Sequence, residues 1–293
     1  MKIGAFDVTD DLPELHDPHA LVMIRPWVDV GSVGTLTLRR LERHFRAQSL
    51  GKLARPGTFF DFTRYRPTVR LVDGTREMTY PNSAINYART EDGPDLLFLH
   101  LLEPHAMAED YVESVVALLD HFKARVYCRI GAMYDSVPHT RPIVVTGGGG
   151  TVEPRPGSRP PIQQQQSQYE GPTTVLTLLT DAATERGMGT MSFMVHLPHY
   201  AQLDEDFAGT ARLLEVLAAY YDIPSTLAPA RRAKLQYDEV DAAMAQRPEV
   251  KALVAQLEAQ YDVRYPREEP AEEPPPELSP EIERFLRDLD ASP

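Results

Sequence analysis

The sequence predicts an α/β fold whose central sheet is mixed but mostly parallel. Short apolar runs, typical of buried strands, alternate along the chain with amphipathic helical patterns, and this alternation is the order of parallel βαβ units. The clearest example is an apolar strand at 95–102, a helical pattern at 107–122 and a second strand from Ala124. With 293 residues, the chain can form one large domain with additions or two smaller domains.

The composition indicates a cytoplasmic globular protein. Hydrophobic residues make up 42% of the chain, and the net charge of −13 makes nucleic acids and anionic membrane surfaces poor partners. Residues 266–293 hold nine acidic and three basic residues, which is almost half of that net charge. The first residues lack the pattern of a signal peptide, and no apolar run approaches the roughly 20 residues of a membrane span. We therefore expect neither a membrane nor a nucleic-acid partner.

A glycine turn follows the first predicted strand, at 20–24, and precedes a helical pattern at 36–45. Ser32 is suited to be the N-cap of this helix, and Gly31 and Gly34 flank it. A strand, a glycine turn and a helix N-terminus can together bind an anion, although the lysine of a P-loop is missing. Anion binding at Gly31, Ser32 and Gly34 and a simple tight turn both remain open.

Residues 48–90 read as β-rich. The segments GTFFDF, TVRLVDG and REMTYP each have strand character, and Asp73-Gly74 between the last two is a hairpin turn signal. This pattern predicts an antiparallel pair added to an otherwise parallel sheet.

The chain is organised around residues 124–147, which read strand, sharp turn, strand. The run ARVYCRIGAM has no helical period, Pro138 ends it, and the short strand PIVVTG follows. The single cysteine, Cys128, lies inside the first of these strands and has no partner for an internal disulfide. We expect a buried, inert thiol.

Residues 147–168 form a glutamine-rich insert, GGGGTVEPRPGSRPPIQQQQSQ. Glycine, proline and glutamine give it little to bury, so it is expected to be a flexible surface loop that folding does not require. A functional lid is the alternative.

The second half of the chain adds helices. A helical pattern at 173–186, the strand GTMSFMVHLP and a helix at 204–221 with Asp204 as N-cap complete the predicted α/β domain, residues 1–228. Two adjacent amphipathic patterns, divided by Pro248, then predict a helical hairpin over 229–262.

The C-terminal residues are of two kinds. Residues 263–280 are an acidic, proline-rich linker, and 281–290 have the pattern of a short amphipathic helix. Its apolar side is formed by Ile282, Phe285, Leu286 and Leu289. Since so short a helix needs a surface for stability, we favour docking on its own oligomer, with a separate partner and permanent disorder as alternatives.

Three predicted strands end in Pro-His, which makes His105, His139 and His199 candidate ligand-binding residues. If the strands are parallel, the three histidines approach one edge of the sheet, where α/β proteins bind ligands. They could bind a ligand or transfer protons, or they could be structural; tight zinc spacing is absent, and we expect no metal. Arg141 in the central turn could pair with a carboxylate such as Asp135 or face a ligand anion.

Three segments carry a resemblance to a known family: GAMYDSVPHTRPIVVTG, YEGPTTVLTLL and FMVHLPHY. With the helix at 204–221 and the late LEAQYD, they resemble the proteasome assembly chaperone 2-like family, whose bacterial and archaeal members carry similar VPHTRP and VPHY segments. The likeness covers about residues 5–262. It is strong in the three segments and loose over 48–90 and the insert.

The resemblance implies a three-layer α/β/α sandwich, similar to nucleoside phosphorylases, and assembly into homo-oligomers. Eukaryotic members help to assemble proteasome α-rings, whereas the family gives its bacterial members no agreed activity and supplies no catalytic residues. Older descriptions of the prokaryotic branch used an ATP-grasp label, but the lysine and glycine-loop pattern of that class is absent here.

Two functions follow from the sequence. The leading hypothesis is a cytoplasmic, homo-oligomeric, chaperone-like interaction protein with no cofactor and no chemistry, since neither a G-x-S-x-G elbow nor a Walker loop is present. The alternative is a binder or enzyme for a nucleoside-like or nucleotide-like ligand at the carboxyl ends of the strands. A deep polar cavity at that edge favours the ligand, and a filled edge favours the interaction protein.

Overall fold

The computed structural model describes residues 1–158, 160–163 and 171–266. Nine strands form one sheet in the order β1-β2-β4-β7-β8-β3-β9-β11-β10, and β5 and β6 form a second, two-stranded sheet. The strands are β1 (Lys2–Ile3), β2 (Phe6–Val8), β3 (His19–Arg25), β4 (Gln48–Leu53), β5 (Thr68–Val72), β6 (Thr75–Thr79), β7 (Ala84–Ala88), β8 (Leu96–Leu102), β9 (Val126–Asp135), β10 (Val145–Gly148) and β11 (Gly189–Pro198).

Six α-helices accompany the sheet in the described ranges. They are α1 (Val33–His44), α2 (Ala108–His121), α3 (Val175–Glu185), α4 (Phe207–Ala218), α5 (Ala230–Ala245) and α6 (Pro248–Arg264). In this part of the chain no helix combines the length and the apolar character that crossing a membrane requires.

The centre of the large sheet is parallel, as predicted. β8, β3, β9 and β11 run side by side in one direction, and antiparallel strands flank them on both sides. The predicted strand-helix-strand unit is present as β8, α2 and β9, with β3 inserted between its two strands. The α/β fold is therefore confirmed.

Alternating side chains of the central strands enter two cores, one on each face of the sheet. On β3, Ala20, Val22 and Ile24 pack with α2 and α3, whereas Leu21 and Met23 pack with α1 and α4. This alternation follows from the two-residue period of a strand and produces the three layers. Cys128 is fully buried in the second core, as predicted, and burial raises the pKa of its thiol.

Three local expectations were wrong. GTFFDF is a 3-10 turn and a loop, because Phe59 and Phe60 both pack into the same core, whereas neighbouring residues of a strand would face opposite sides. The hairpin over 68–79 forms a sheet of its own and does not extend the central one. The N-cap of α4 is Asp206, whose carboxylate accepts the Gly209 N–H at 2.7 Å.

Helices α5 and α6 form the predicted helical hairpin. α5 packs on α4, where Phe207 and Ala211 contact Ala233. The division of the chain into domains at 228 stays a prediction. The linker beyond Pro266 and the helix predicted at 281–290, with Ile282, Phe285, Leu286 and Leu289, lie outside the described residues.

The described residues of the insert make specific contacts. Val152 and Ile162 are half-buried against the core shared by α1 and α4. The Gln163 N–H donates to the Val145 carbonyl at 2.7 Å, and the Arg155 N–H donates to a carbonyl just after α4 at 2.8 Å. These contacts favour a contribution to stability, whereas the flexibility predicted for the insert stays a prediction.

Replacing Val152 and Ile162 together by alanine should lower the free energy of unfolding by about 1–3 kcal/mol, because two half-buried side chains lose their contacts. Thermal melting measures the effect, at about 2–4 °C per kcal/mol for a chain of this size. The control, Val72→Ala on the exposed hairpin, should leave the melting temperature unchanged. An unchanged melting temperature in the double variant would mean that folding does not depend on the insert.

Candidate functional site

The four parallel strands end at one edge of the sheet, which we call the carboxyl edge. The three Pro-His turns lie at this edge, because His105 follows β8, His139 follows β9 and His199 follows β11. β9 and β11 are neighbours, and β3 separates β8 from β9. His139 and His199 consequently share a ring contact with Tyr200, with centroids 5.7 and 5.6 Å away, whereas His105 belongs to a different cluster.

His139 is a buried residue that ties its turn to β11. Its backbone N–H and its Nδ1 lie 2.8 and 2.7 Å from the hydroxyl of Tyr200, and the side chain is 3% exposed. Burial raises the pKa of Tyr200, so the hydroxyl keeps its proton and can donate it to Nδ1. The other ring nitrogen, Nε2, lies 3.5 Å from Asp241 of α5, which is too far for a hydrogen bond.

A second histidine, His196, holds three strands together next to this turn. Its Nδ1 lies 2.7 Å from Asp135 at the end of β9, and its Nε2 lies 2.8 Å from the hydroxyl of Thr146 on β10. The hydrogen bond to His196 lowers the pKa of Asp135. The order carboxylate, imidazole, hydroxyl is that of a hydrolase triad. His196 is buried, however, and it does not line the surface cavities near the sheet edges.

The other two predicted histidines are in ordinary polar surroundings. His199 is exposed, and its backbone N–H and Nδ1 lie 3.3 and 3.2 Å from the carbonyl of Asp135. His105 accepts the backbone N–H of Asp61 on Nδ1 at 3.1 Å and packs against the ring of Tyr65.

The glycine turn before α1 already holds a carboxylate of the chain. Asp29 is buried and accepts the backbone N–H of Thr35 at 3.0 Å and its hydroxyl at 2.6 Å. Burial raises the pKa of Asp29, and the hydrogen bonds from Thr35 partly offset that effect. Asp29 thus occupies the position at the N-terminus of α1 that a bound anion would take.

The glycines of this turn allow close packing. A Cβ on Gly31, whose φ is +57°, would lie 2.7 Å from the Cβ of Asp206, and one on Gly34 would lie 3.1 Å from Asp29 Oδ1. Ser32 is the N-cap by position, as predicted, but its hydroxyl donates to the carbonyl of Asp204 at 2.9 Å. These contacts support the tight-turn alternative for Gly31, Ser32 and Gly34.

A second buried carboxylate, Asp206, joins the turn to the helical hairpin. Besides capping α4, it accepts the hydroxyl of Tyr237 on α5 at 3.0 Å, and its backbone N–H donates to the Gly31 carbonyl at 2.7 Å. Burial raises the pKa of both Asp206 and Tyr237.

Arg141 binds the last helix. Its Nε and Nη2 donate to the two carboxylate oxygens of Asp262, both at 2.9 Å, and its Nη1 donates to Glu258 at 2.9 Å. The hydrogen bonds that Arg141 donates to Asp262 raise the pKa of Arg141 above its usual range. Of the two sequence alternatives for Arg141, the structure favours a carboxylate pair, with α6 rather than Asp135 supplying the carboxylates.

Three of the surface cavities that the described residues form lie at the sheet edges, and the smallest of these three is at the carboxyl edge. It has a volume of about 290 Å³ and lies beside His105, between residues 57–61 and Arg64. The other two, of about 680 and 740 Å³, lie at the opposite edge, where β3, β9 and β11 begin and where α1 ends. None of the three contains His139, Arg141, His199 or the glycine turn in its lining.

Metal ligation has little basis in the structure. Within the described ranges, no group of three or more histidine, cysteine, aspartate or glutamate side chains is placed to hold a metal ion.

The sequence missed the residues that fill this edge. Asp135 precedes the VPHT turn at the end of β9, and His196 stands two residues before Pro198, on the same face of the neighbouring strand β11. These positions could have indicated that the two side chains belong to one network. The contacts of Asp262 with Arg141 and of Asp206 with Tyr237 had no comparable signal, because each joins two elements that are distant in sequence.

The comparisons with known proteins now decide the family. The sequence pattern of the PAC2 family matches residues 23–240. This chain belongs to the PAC2 family. The resemblance predicted from VPHTRP and its companion segments is thereby confirmed. No curated protein matches the chain.

Solved structures share the fold over most of the chain. A protein of unknown function from Corynebacterium glutamicum matches with a TM-score of 0.78 at 22% identity, over 90% of this chain and 99% of that one. A PAC2 family protein from Streptomyces avermitilis has a TM-score of 0.70 at 25% identity, over 81% and 100%. A proteasome-assembly chaperone homologue from Mycobacterium tuberculosis has a TM-score of 0.69 at 23% identity, over 80% and 99%.

Changing Arg141 to alanine should loosen α6 while leaving the sheet folded. The change leaves Glu258 and Asp262 without their shared cation. The hydroxyls of Thr140 on Glu258 and of Tyr261 on the Pro142 carbonyl, together with the buried Leu257, still hold α6 in part. Hydrogen exchange should be faster in α6 and unchanged in β9 and β11.

Arg141→Lys is the matched control for charge. Lysine keeps the positive charge but loses the two-pronged contact with Asp262, so its exchange should lie between those of wild type and Arg141→Ala. Equal exchange in all three proteins would show that α6 is held by other contacts.

Proposed function

We propose that this PAC2 family protein is a cytoplasmic, homo-oligomeric interaction protein of the proteasome-assembly-chaperone type that carries out no chemistry. The observation that carries the proposal is the occupation of the carboxyl edge by the chain's own groups. Asp29 takes the N-terminus of α1, Asp206 binds Tyr237, and Arg141 holds α6. A substrate of an open α/β enzyme would need this same space.

The relatives support a protein partner rather than a small molecule. The Mycobacterium tuberculosis structure is that of a proteasome-assembly chaperone homologue, and it shares the fold over 80% of this chain. Assembly chaperones act by binding other protein chains. A filled carboxyl edge and a surface for protein contacts are what such a role requires.

Large apolar side chains are exposed at the same edge. Trp27 follows β3 and is 63% exposed, Met107 follows β8 and is 51% exposed, and Met133 near the end of β9 is 42% exposed. Aromatic and methionine side chains are enriched at protein interfaces. We place the contact between subunits, or with a partner protein, on this side of the molecule.

Ligand binding is the second candidate, and one observation favours it. At the ends of the neighbouring strands β3 and β8, Arg25 Nε and one carboxylate oxygen of Glu103 are buried without a hydrogen-bond partner. Burial raises the pKa of Glu103, whose other oxygen accepts the backbone N–H of Val175 at 3.0 Å. A small polar molecule or water would satisfy each of these groups.

Light scattering should show a species larger than the 32.9 kDa chain at micromolar concentration, and Trp27→Asp should shift it toward the monomer. The reason is that a charge in the centre of an apolar contact loses its hydration. Thr184→Asp, an equal charge change at the far end of α3, is the matched control and should leave the mass unchanged. A monomeric wild type at every concentration would remove the homo-oligomer from the proposal.

A further inference from the structure

The hairpin formed by β5 and β6 stands apart from the rest of the fold. All ten residues of its two strands are exposed, and the strands form a two-stranded sheet of their own. A lone two-stranded hairpin is at best marginally stable in water. Some other group is therefore expected to cover one of its faces.

One face of the hairpin is apolar. Val69 pairs with Met78 and Leu71 pairs with Arg76, so these four side chains share a face, which we call the apolar face. Val69, Leu71 and Met78 are 44%, 74% and 51% exposed. The opposite face is mainly polar and consists of Thr68, Arg70, Val72, Thr75, Glu77 and Thr79. An exposed apolar face of this kind marks a binding surface.

Charge indicates what the apolar face binds. Residues 64–80 contain four arginines and two acidic residues, a net charge of +2 in a chain whose total is −13. The C-terminal residues 267–293 have nine acidic and three basic residues, a net charge of −6. Their sequence also contains the amphipathic pattern at 281–290 with its own apolar side. The two segments are complementary in both charge and hydrophobicity.

The last described residues of the chain lie on the same side of the fold as the hairpin. The hairpin begins and ends beside the end of β8, because the Tyr65 hydroxyl donates to the Glu103 carbonyl at 3.1 Å and the Leu102 N–H donates to Ser83 at 3.0 Å. The end of α6 lies beside the turn after β9, because Arg141 in that turn donates to Asp262 near the end of α6 at 2.9 Å.

The distance between the two places is short compared with the linker. Only β3 lies between β8 and β9, so two strand spacings, or about 10 Å, separate the strand ends. The linker at 267–280 can span about 40 Å if extended, since proline-rich chains reach about 3.1 Å per residue. The predicted helix can thus reach the apolar face without any rearrangement of the fold.

We propose that residues 281–289 dock on the apolar face of the β5–β6 hairpin, with Phe285 and Leu286 against Leu71 and Met78. The docked segment covers this face in the free protein. The inference does not depend on the chaperone-type function, because it concerns two segments of this chain.

Disulfide trapping tests the contact in the full chain. The only cysteine, Cys128, is fully buried, so engineered thiols can be oxidised without competition. The pair Leu71→Cys with Leu286→Cys should cross-link rapidly. The matched control pairs Leu286→Cys with Val72→Cys, the next residue on the same strand, whose side chain is on the opposite face and 42% exposed.

The form of the cross-link identifies the source of the segment. Loss of free thiols in a chain that stays monomeric under denaturing, non-reducing conditions means that the segment comes from the same copy. A disulfide-linked dimer, which should form more slowly when the protein is diluted before oxidation, means that the segment comes from a second copy. Either result supports the proposal when the Val72 control cross-links at least tenfold more slowly. Equal rates for the two pairs, or no cross-link in either, would overturn it.

Hydrogen exchange tests the same contact without engineered thiols. Residues 281–289 should exchange slowly in wild type and in Val72→Asp, and at least tenfold faster in Leu71→Asp. Phe285→Asp leaves the hairpin sequence intact and should speed exchange over 68–79. Fast exchange of residues 281–289 in the purified wild type would contradict docking on the hairpin. Slow exchange that appears only after another protein is added would contradict it as well.

Discussion

A carboxylate that is removed from water needs hydrogen-bond donors from the protein, and this requirement shapes the carboxyl edge of the sheet. Asp29 obtains its donors from the first turn of α1, and Asp206 obtains them from α4 and from Tyr237 of α5. Each carboxylate is thus fixed at a helix N-terminus, where the helix dipole favours it. In open α/β folds this space often binds an anionic ligand, whereas here it holds side chains that stabilise the fold.

The helical hairpin depends on the same edge. Tyr237 brings α5 to Asp206, and Arg141 brings α6 to the turn after β9. The Arg141 contacts are half-exposed ion pairs that salt weakens, whereas the Asp206 contact is buried. This difference explains why α6 can be expected to detach more easily than α5, and it places the less firmly held end of the chain next to the exposed hairpin.

The elements that follow from local sequence were predictable. Apolar runs specified β3, β8, β9 and β11, and helical periodicity specified α1 to α6, because burial on one or both faces leaves a pattern in neighbouring residues. GTFFDF has strand composition, but tertiary packing of Phe59 and Phe60 overrides that preference. The pairing of Arg141 with Asp262 joins residues 121 positions apart, and no local pattern reports it. The three Pro-His turns indicated the edge of the sheet, and one of their histidines, His139, bonds Tyr200 there. The neighbouring contact between His196 and Asp135 carried no such motif.

Native mass spectrometry of the full chain, purified from its own cells without denaturation, tests the central claim most directly. If the carboxyl edge is filled and serves protein contacts, the spectrum should show multiples of 32.9 kDa, or that chain with another protein, and no small molecule bound in a fixed ratio. A monomer that carries one adduct of the size of a nucleoside or nucleotide would contradict the account, because the account assigns protein contacts and no small-molecule ligand to this fold.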